Sequence, residues 1–372
     1  MGGHGMGSER FETVIVGGGQ AGLATGYHLA RRGRPFVILD AGQRVGDPWR
    51  ARWDSLRVFT RARYSGLPGW AFPADPWHYP TKDQVADYVE AYAARFELPV
   101  RSGVRVDRLT RQGDRYLVTA GDRRLEADNV VVATGAWARP RVPAFAPDLG
   151  PQLLQLHSSD YRRPSQLREG PVLVVGAGNS GAEIALEVSA THPTWLSGPH
   201  PGSEPARAGS RTDRLTTPLL WFTFSRVLSV DNPVGRRLRP TLLTKAAPLA
   251  RVKRRHLAAA GIERVPRTVG ARDGLPLLAD GRVLEVANVV WCTGFGHDVA
   301  WIDLPVLDPG DQPRHDRGVV GEAPGLYFVG LFFLTSITSA LIGGVGHDAE
   351  HVAAHIAARV AAARPTAAVP GP

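Results

Sequence analysis

Sulfur is almost missing from this chain: its 372 residues hold one cysteine, Cys292, and two methionines. One thiol can close no intramolecular disulfide and form no Cys-x-x-Cys pair. Dithiol redox chemistry is therefore excluded, and a reducing cytoplasm is the expected setting. Long apolar runs are missing too; none approaches the ~20 residues that a membrane span requires. Residues 1–9 carry neither the basic leader nor the apolar stretch of a secretory signal, and Met6 stands where a myristoylation signal places Ser or Thr. They read as a tail outside the fold. The twelve histidines show no ligand-type spacing with one another or with Cys292, so no metal site is expected.

What the chain has is enough apolar residue to build a core. Hydrophobic residues make up 43% of it, which suits a soluble globular protein. At ~150 residues per domain, its length suggests about two domains. The net charge of +9 is concentrated: residues 207–255 hold twelve Lys or Arg against Asp213 and Asp231, so the rest is close to neutral. The same stretch contains the run Leu219-Leu-Trp-Phe-Thr-Phe224. No nucleic-acid motif accompanies the charge, and no nucleic-acid partner is expected. A solvated helical face with a local apolar seam is the plainest reading, with weak contact to a membrane surface as the alternative.

The β-branched run Phe11-Glu-Thr-Val-Ile-Val16 reads as a buried parallel strand. Gly17-Gly-Gly-Gln-Ala-Gly22 follows at once, then a helix over Leu23–Arg32, then a strand Pro35–Leu39 that ends at Asp40. In such a Gly-x-Gly-x-x-Gly unit, Gly17 permits the tight turn, Gly19 lets the backbone approach a pyrophosphate, and Gly22 lets the helix pack close to the sheet. Gln20 and Ala21 open the helix, whose free N–H groups and dipole favour phosphate. Asp40, 18 residues past Gly22, is placed to accept hydrogen bonds from a ribose diol.

A second copy follows about 160 residues later. Pro171–Val175 is a strand, Gly176-Ala-Gly-Asn-Ser-Gly181 a turn, Ala182–Ser189 a helix and Thr194–Leu196 a short strand. Gly176, Gly178, Asn179, Ser180 and Gly181 are the candidate ligands of a second nucleotide. Two such units in one chain suggest a flavin nucleotide and a nicotinamide nucleotide exchanging hydride. Past the second strand, Ser197-Gly-Pro-His-Pro201 offers no acid for a ribose 2′-OH and no Arg for a 2′-phosphate. Ser197, His200 and Arg207 are the nearest candidates, which leaves NADH and NADPH both open. Two further apolar strands end in Thr-Gly, at Thr134-Gly135 and Thr293-Gly294, and read as exits from nucleotide-binding sheets. Small β-meanders are expected before them, over 104–119 and 277–283.

Taken with Pro48-Trp-Arg-Ala-Arg-Trp-Asp-Ser-Leu56, Tyr79-Pro-Thr-Lys-Asp-Gln-Val85, His157-Ser-Ser-Asp-Tyr-Arg162, Trp291-Cys-Thr-Gly-Phe295 and Gly325-Leu-Tyr-Phe-Val-Gly330, these motifs resemble the flavin-containing monooxygenases of the bacterial, YUCCA-like type, related to Baeyer–Villiger monooxygenases. The resemblance runs from about Phe11 to Ala358. It implies an α/β fold of two Rossmann-like dinucleotide-binding domains. The FAD domain would be discontinuous, residues 1–162 and 296–372. The NAD(P)H domain would be the insert 163–295, carrying a basic helical stretch at about 205–258. Trp49 and Arg50 would lie along the flavin and pyrophosphate, and Val106 would offer backbone to the adenine. Gly330 would belong to the FAD site, and Ala340–Gly346 would run near the isoalloxazine.

The family fingerprint is degenerate here, as Phe145, Gly150, His157 and Tyr161. It implies a positional role for His157, coupling the linker to domain movement. Two departures stand out. Phe59 occupies a position where many members carry an Asn that helps hold the oxygenated flavin, and a phenyl ring donates no hydrogen bond. Pro199 stands where members usually have an Arg for the NADPH phosphate.

The implied activity is that of an FAD-dependent, NAD(P)H-consuming monooxygenase. A C4a-peroxyflavin would pass one atom of O2 to a small thioether, amine or ketone. Phe59 also suits an NAD(P)H oxidase or quinone-type flavin reductase that releases H2O2. A non-enzymatic redox-sensing flavoprotein is the third reading. The aromatic segment 60–80, with Tyr64, Trp70, Phe72, Trp77 and Tyr79, is either a substrate-pocket wall or a satellite hydrophobic cluster.

Overall fold

The apolar runs and glycine turns become two largely parallel sheets in a computed structural model that describes residues 8–202, 211–244, 247–310 and 312–363. β1 (Glu9–Val16), α1 (Gln20–Ala30) and β2 (Phe36–Leu39) form the first strand–helix–strand unit. β1 starts ahead of the apolar run because Glu9 and Arg10 already pair with Leu125 and Glu126. Glu9 therefore belongs to the sheet rather than to the expected tail, of which residues 1–7 lie outside the described residues. A short α2 (Asp47–Arg50) follows. α3 (Lys82–Arg95) begins where Thr81 and Gln84 form a reciprocal capping box.

The first sheet takes in β3 (Val100–Arg101), β4 (Arg108–Gln112), β5 (Arg115–Ala120) and β6 (Arg123–Val132), in the order β3-β2-β1-β6-β5-β4. β6 runs antiparallel to β5 along its first half and parallel to β1 from Leu125 onward. Val14, Val16, Val130 and Val132 are buried, as the uninterrupted apolar runs require of a covered parallel sheet. The meander expected from 104 starts four residues later, at Arg108.

The chain crosses to the second sheet through β7 (Arg139–Pro140) and enters it at β8 (Leu154–His157). Then come β9 (Val172–Val175), α4 (Asn179–Val188) and β10 (Thr194–Ser197). The basic segment supplies α5 (Arg211–Phe222), a π-turn at Thr223–Val227, α6 (Pro233–Thr244) and α7 (Arg254–Ala259). β11 (Glu263–Val265), the hairpin β12 (Thr268–Arg272) with β13 (Leu275–Leu278), and β14 (Asn288–Trp291) complete this part. The sheet is parallel, in the order β11-β10-β9-β14-β8. Because β8 pairs with β14, the second sheet claims residues 154–157, ahead of the boundary expected at 163.

The return crossing, β15 (Phe295–Gly296), pairs antiparallel with β7, so the outgoing and incoming chains form one two-stranded link. β16 (Leu326–Phe328) then pairs with the end of β6, and α8 (Val345–Ala363) packs against α1.

Both glycine turns are set by backbone contact. A Cβ on Gly22 would stand 1.9 Å from the Gly17 carbonyl oxygen, and one on Gly181 1.7 Å from that of Gly176. Alanine at Gly181 must push α4 off β9. We expect Gly181→Ala to cost about 1–3 kcal/mol of stability and to lower the thermal midpoint measured by calorimetry. An unchanged midpoint would show that the turn yields freely.

Candidate dinucleotide sites and the cleft between them

The first turn separates its glycines by job. Gly17 takes φ +112°, and a Cβ there would meet the Ala133 carbonyl oxygen at 2.5 Å, so the end of β6 presses on the turn. Gly19, in contrast, has nothing within 4 Å of the Cβ position, which leaves open space over the helix start. No side chain caps α1, so its first N–H groups are available to an anion. Asp40 is buried and accepts from the Gly18 and Gly42 N–H groups, which fixes its carboxylate beside the turn. Gln20 donates to the Ala340 carbonyl at 2.9 Å, and Gly330 lies against Ala21, where a Cβ would come within 2.7 Å of that methyl. The returning chain thus closes on the first turn. Gly135 follows the end of β6 at φ +83° with open space beside it, and Thr134 is half-buried there. This open, uncapped, glycine-lined start fits the pyrophosphate of a dinucleotide such as FAD.

The three neighbours expected along the cofactor have these partners within the chain. The Arg50 guanidinium is engaged by Glu90 at 2.8 Å, Asp87 at 3.2 Å and the Val45 carbonyl at 2.7 Å, so α3 holds it. Trp49 packs, partly buried, against the main core. Val106 is half-buried at the edge of the first sheet's core.

The second turn repeats the first. Gly176 takes φ +108° with its Cβ position 2.3 Å from the Cys292 carbonyl oxygen, and Gly178 begins α4 with no side-chain cap. Ser180 is half-buried in the first turn of that helix. Asn179 is already used: its amide donates to the Pro248 carbonyl at 3.1 Å and accepts from the Ala250 N–H at 3.0 Å. Ser197 is fully buried, its hydroxyl shared with Pro266 and Thr268. Arg207 lies outside the described residues. Gly294 takes φ +84° with open space beside it, while Thr293 donates its hydroxyl to the Arg141 carbonyl.

One charged residue beside this strand end escaped the sequence reading. Arg264, on β11, donates to the Gly198 carbonyl at the end of β10. Its charge and that of Arg254, after burial, hold the His200 imidazole below its ordinary value. A cationic corner therefore stands where the sequence of β10 shows none.

Between the turns, His157 ends β8. Ser159 N–H donates to its Nδ1 at 3.1 Å, which leaves Nε2 to donate to the Gly294 carbonyl at 3.2 Å. Burial lowers its pKa, and its ring stands edge-on to Phe295 at 4.9 Å. Arg52 lies over the other partner of that stack, 5.3 Å from the Phe295 centroid, its pKa lowered by burial and then by Arg162. His157 is thus a pin between the linker and the turn after β14. Phe59 is 41% exposed. Cys292 packs under the second turn, and burial pushes its thiol up to about 12, so it carries no thiolate chemistry. Burial also raises Glu183 on α4 to about 7, against the opposing Arg251 at 3.2 Å. Arg251 donates in turn to the Arg57 carbonyl, which ties the insert to the first domain's loop.

The aromatic segment divides. Trp70 and Phe72 pack on Tyr88 as core. Tyr64 instead stacks on Trp221 at 4.8 Å beside a groove of about 260 Å³. Trp221, Phe222 and Arg226 wall one side of this groove and Thr338, Gly343 and Gly344 the other.

Two uncapped glycine turns at the ends of two largely parallel sheets are the arrangement of an oxidoreductase that holds two dinucleotides. A family model described as pyridine nucleotide-disulphide oxidoreductase matches residues 14–194. An oxidoreductase described as CzcO-like, from Geobacillus kaustophilus, is 40% identical over 92% of this chain and 97% of its own length. A probable indole-3-pyruvate monooxygenase, YUCCA3 of Arabidopsis thaliana, is 30% identical over 85% of this chain and 81% of its own. The structure of a flavin-containing monooxygenase from Stenotrophomonas maltophilia superposes with a TM-score of 0.76 at 29% identity, covering 95% of this chain and 99% of that one. The chain belongs to this flavin monooxygenase family and is an enzyme of the FAD- and NAD(P)-dependent oxidoreductase kind.

Two tests follow from the geometry. Gly19→Val fills space that is otherwise open, so it is expected to leave the unfolding midpoint of the cofactor-free protein within error. FAD retained through gel filtration should fall at least tenfold; full retention would place the cofactor elsewhere. His157 has a folded pKa below its ordinary 6.5, so its contribution to stability is complete above that value and is lost as the pH falls below it. His157→Gln is therefore expected to flatten the decline of the thermal midpoint between about pH 7 and pH 5.

Proposed function

We propose that this protein is an NADPH-fed, FAD-dependent monooxygenase acting on a small organic substrate with O2. The observation that carries the nicotinamide choice is the corner at the end of β10. Arg264, Arg254 and His200 converge there, and the strand ends without the acid that would select a free ribose 2′-OH. Arg264 compensates for Pro199 from a neighbouring strand.

Bound FAD supplies the hydride acceptor and the centre at which O2 is activated. The residues of the chain do the rest. The Gly17–Gly22 turn and Asp40 hold the first dinucleotide at its pyrophosphate and ribose. The Gly176–Gly181 turn holds the second, with its extra phosphate on Arg264. His157 keeps the Gly294 turn in register with the linker, which fixes how the two nucleotides approach. The domains are accordingly an FAD unit built on the first sheet and an NADPH unit built on the second, hinged at the β7–β15 pair. The groove at Trp221 admits the substrate from the side of Thr338–Gly344.

The electrons then leave the flavin for a small molecule, since the chain's thiol is single, half-buried and held in its protonated form. In a monooxygenase they reduce one atom of O2 to water while the other atom enters the substrate. An oxidase gives them to O2 alone, and Phe59 favours that second reading, since it donates no hydrogen bond where many relatives place Asn.

Purified protein with FAD, NADPH and O2 is given a thioether series and a ketone series, while NADPH, H2O2 and oxygenated product are counted. The proposal expects product to account for most of the NADPH with at least one series. Stoichiometric H2O2 with every compound would overturn it in favour of the oxidase. Arg264→Ala is expected to raise the KM for NADPH by about 10- to 100-fold and to leave that for NADH almost unchanged, as loss of one charge-assisted phosphate contact predicts. Equal effects on both would remove Arg264 from the phosphate.

A further inference from the structure

Ten large apolar side chains are exposed among the described residues, and six of them belong to the basic insert: Leu215, Leu219, Phe222, Val234, Leu238 and Leu243. On α5, Leu215, Leu219 and Phe222 follow at i, i+4 and i+7 and so form one stripe. They are 77%, 65% and 58% exposed. The helix does not hide this stripe against the protein, because its other side is the one that docks: Trp221 stacks on Tyr64, and Arg214 lies over Trp77. α6 repeats the pattern with Val234 and Leu238 outward, while Arg239 turns in to the Phe333 carbonyl.

Apart from Asp213 and Asp231, the charged residues from α5 through α6 are all arginines. Arg214, Arg226, Arg236 and Arg237 are exposed. Asp231 is taken up by Arg317 at 3.2 Å. A second copy of the chain seated on this face would bring two strongly basic segments together, so the face repels itself. An anionic surface that also has an apolar interior satisfies both features at once. No helix among the described residues is long and apolar enough to cross a membrane, so contact is confined to the surface.

We propose that the α5–α6 insert docks this protein onto an anionic lipid bilayer, with Leu215, Leu219 and Phe222 entering the headgroup boundary and the neighbouring arginines on the lipid phosphates. Phe222 also lines the groove beside Thr338 and Gly344, so the docked rim and the groove mouth share a residue. Docking is read without turnover and does not depend on the reaction proposed above.

The test is sedimentation of the FAD-loaded protein with vesicles of phosphatidylcholine alone and of phosphatidylcholine mixed equally with phosphatidylglycerol. The protein is expected to pellet with the mixed vesicles, to remain in solution with phosphatidylcholine alone, and to be released as salt is raised. Leu215→Ser with Leu219→Ser should weaken binding about a hundredfold, from the apolar area lost, at an unchanged thermal midpoint. Three results would overturn the proposal. The protein could stay in solution with both vesicles. The double variant could pellet like the parent. Light scattering could show a dimer that the double variant dissolves, which would give the stripe to a second copy.

Discussion

The site rests on two places where backbone touches backbone. Gly22 sits on the carbonyl of Gly17, and Gly181 on that of Gly176, each closer than any side chain permits. These contacts set the helix axis directly over the end of its strand. Only then do the uncapped N–H groups of α1 and α4 face outward at the carboxyl edges of the sheets, where the dipole can act on a phosphate. The second contact layer follows from the first. The end of β6 presses on Gly17 through Ala133, and the end of β14 presses on Gly176 through Cys292. Each turn is therefore fixed by the strand next to it, and the strands that leave those two positions run into the β7–β15 link. The two glycine turns and the link between the sheets are parts of one arrangement.

This explains which features could be read in the sequence. The glycine roles were legible because they are local: a turn and a helix start occupy six consecutive residues, and chain geometry decides them. The strands were legible because runs such as Val172–Val175 are buried on both faces. Side-chain partners were not legible. Asn179 looks like a phosphate ligand in its motif, yet it is committed to Pro248 and Ala250. Ser197 looks available at a strand end, yet its hydroxyl is shared with Thr268 across 71 residues. Arg50 is neutralised by α3, forty residues on. Arg264 shows the converse, since a parallel strand delivers it to a corner that its own neighbours in sequence do not mark. The boundary at 163 missed β8 for the same reason: Leu154–His157 is a short apolar run whose sheet is chosen by β14.

The insert shows a subtler limit. Its sequence displays charge and apolar residues side by side but gives no account of which face each takes. The π-turn at Thr223–Val227 follows α5 directly and breaks the helical register there. Just before it, the ordinary α-helical turn between neighbours sets Trp221 on Tyr64 and Phe222 toward solvent. A solvated helical face with a local apolar seam was the plain expectation; the structure shows which side the seam takes, with Leu215, Leu219 and Phe222 outward and Trp221 inward on Tyr64.

The remaining question of chemistry is one of water. Oxygen activated at a flavin reaches substrate only if the surroundings are dry and preorganised; otherwise it leaves as H2O2. In this chain the residue expected nearest to that decision, Phe59, brings no hydrogen bond, and it is 41% exposed. A phenyl ring can still serve by excluding water once the cleft narrows, and the means to narrow it are present. His157 and Arg52 flank Phe295 at the hinge, and Arg251 joins the insert to Arg57, two residues from Phe59. Closure about the β7–β15 link would carry these contacts together. On this argument the missing side-chain donor at residue 59 is offset by desolvation, and in the proposed reaction coupling of the reduced nicotinamide to product should depend more on the integrity of the Arg251 tie than on the polarity of residue 59.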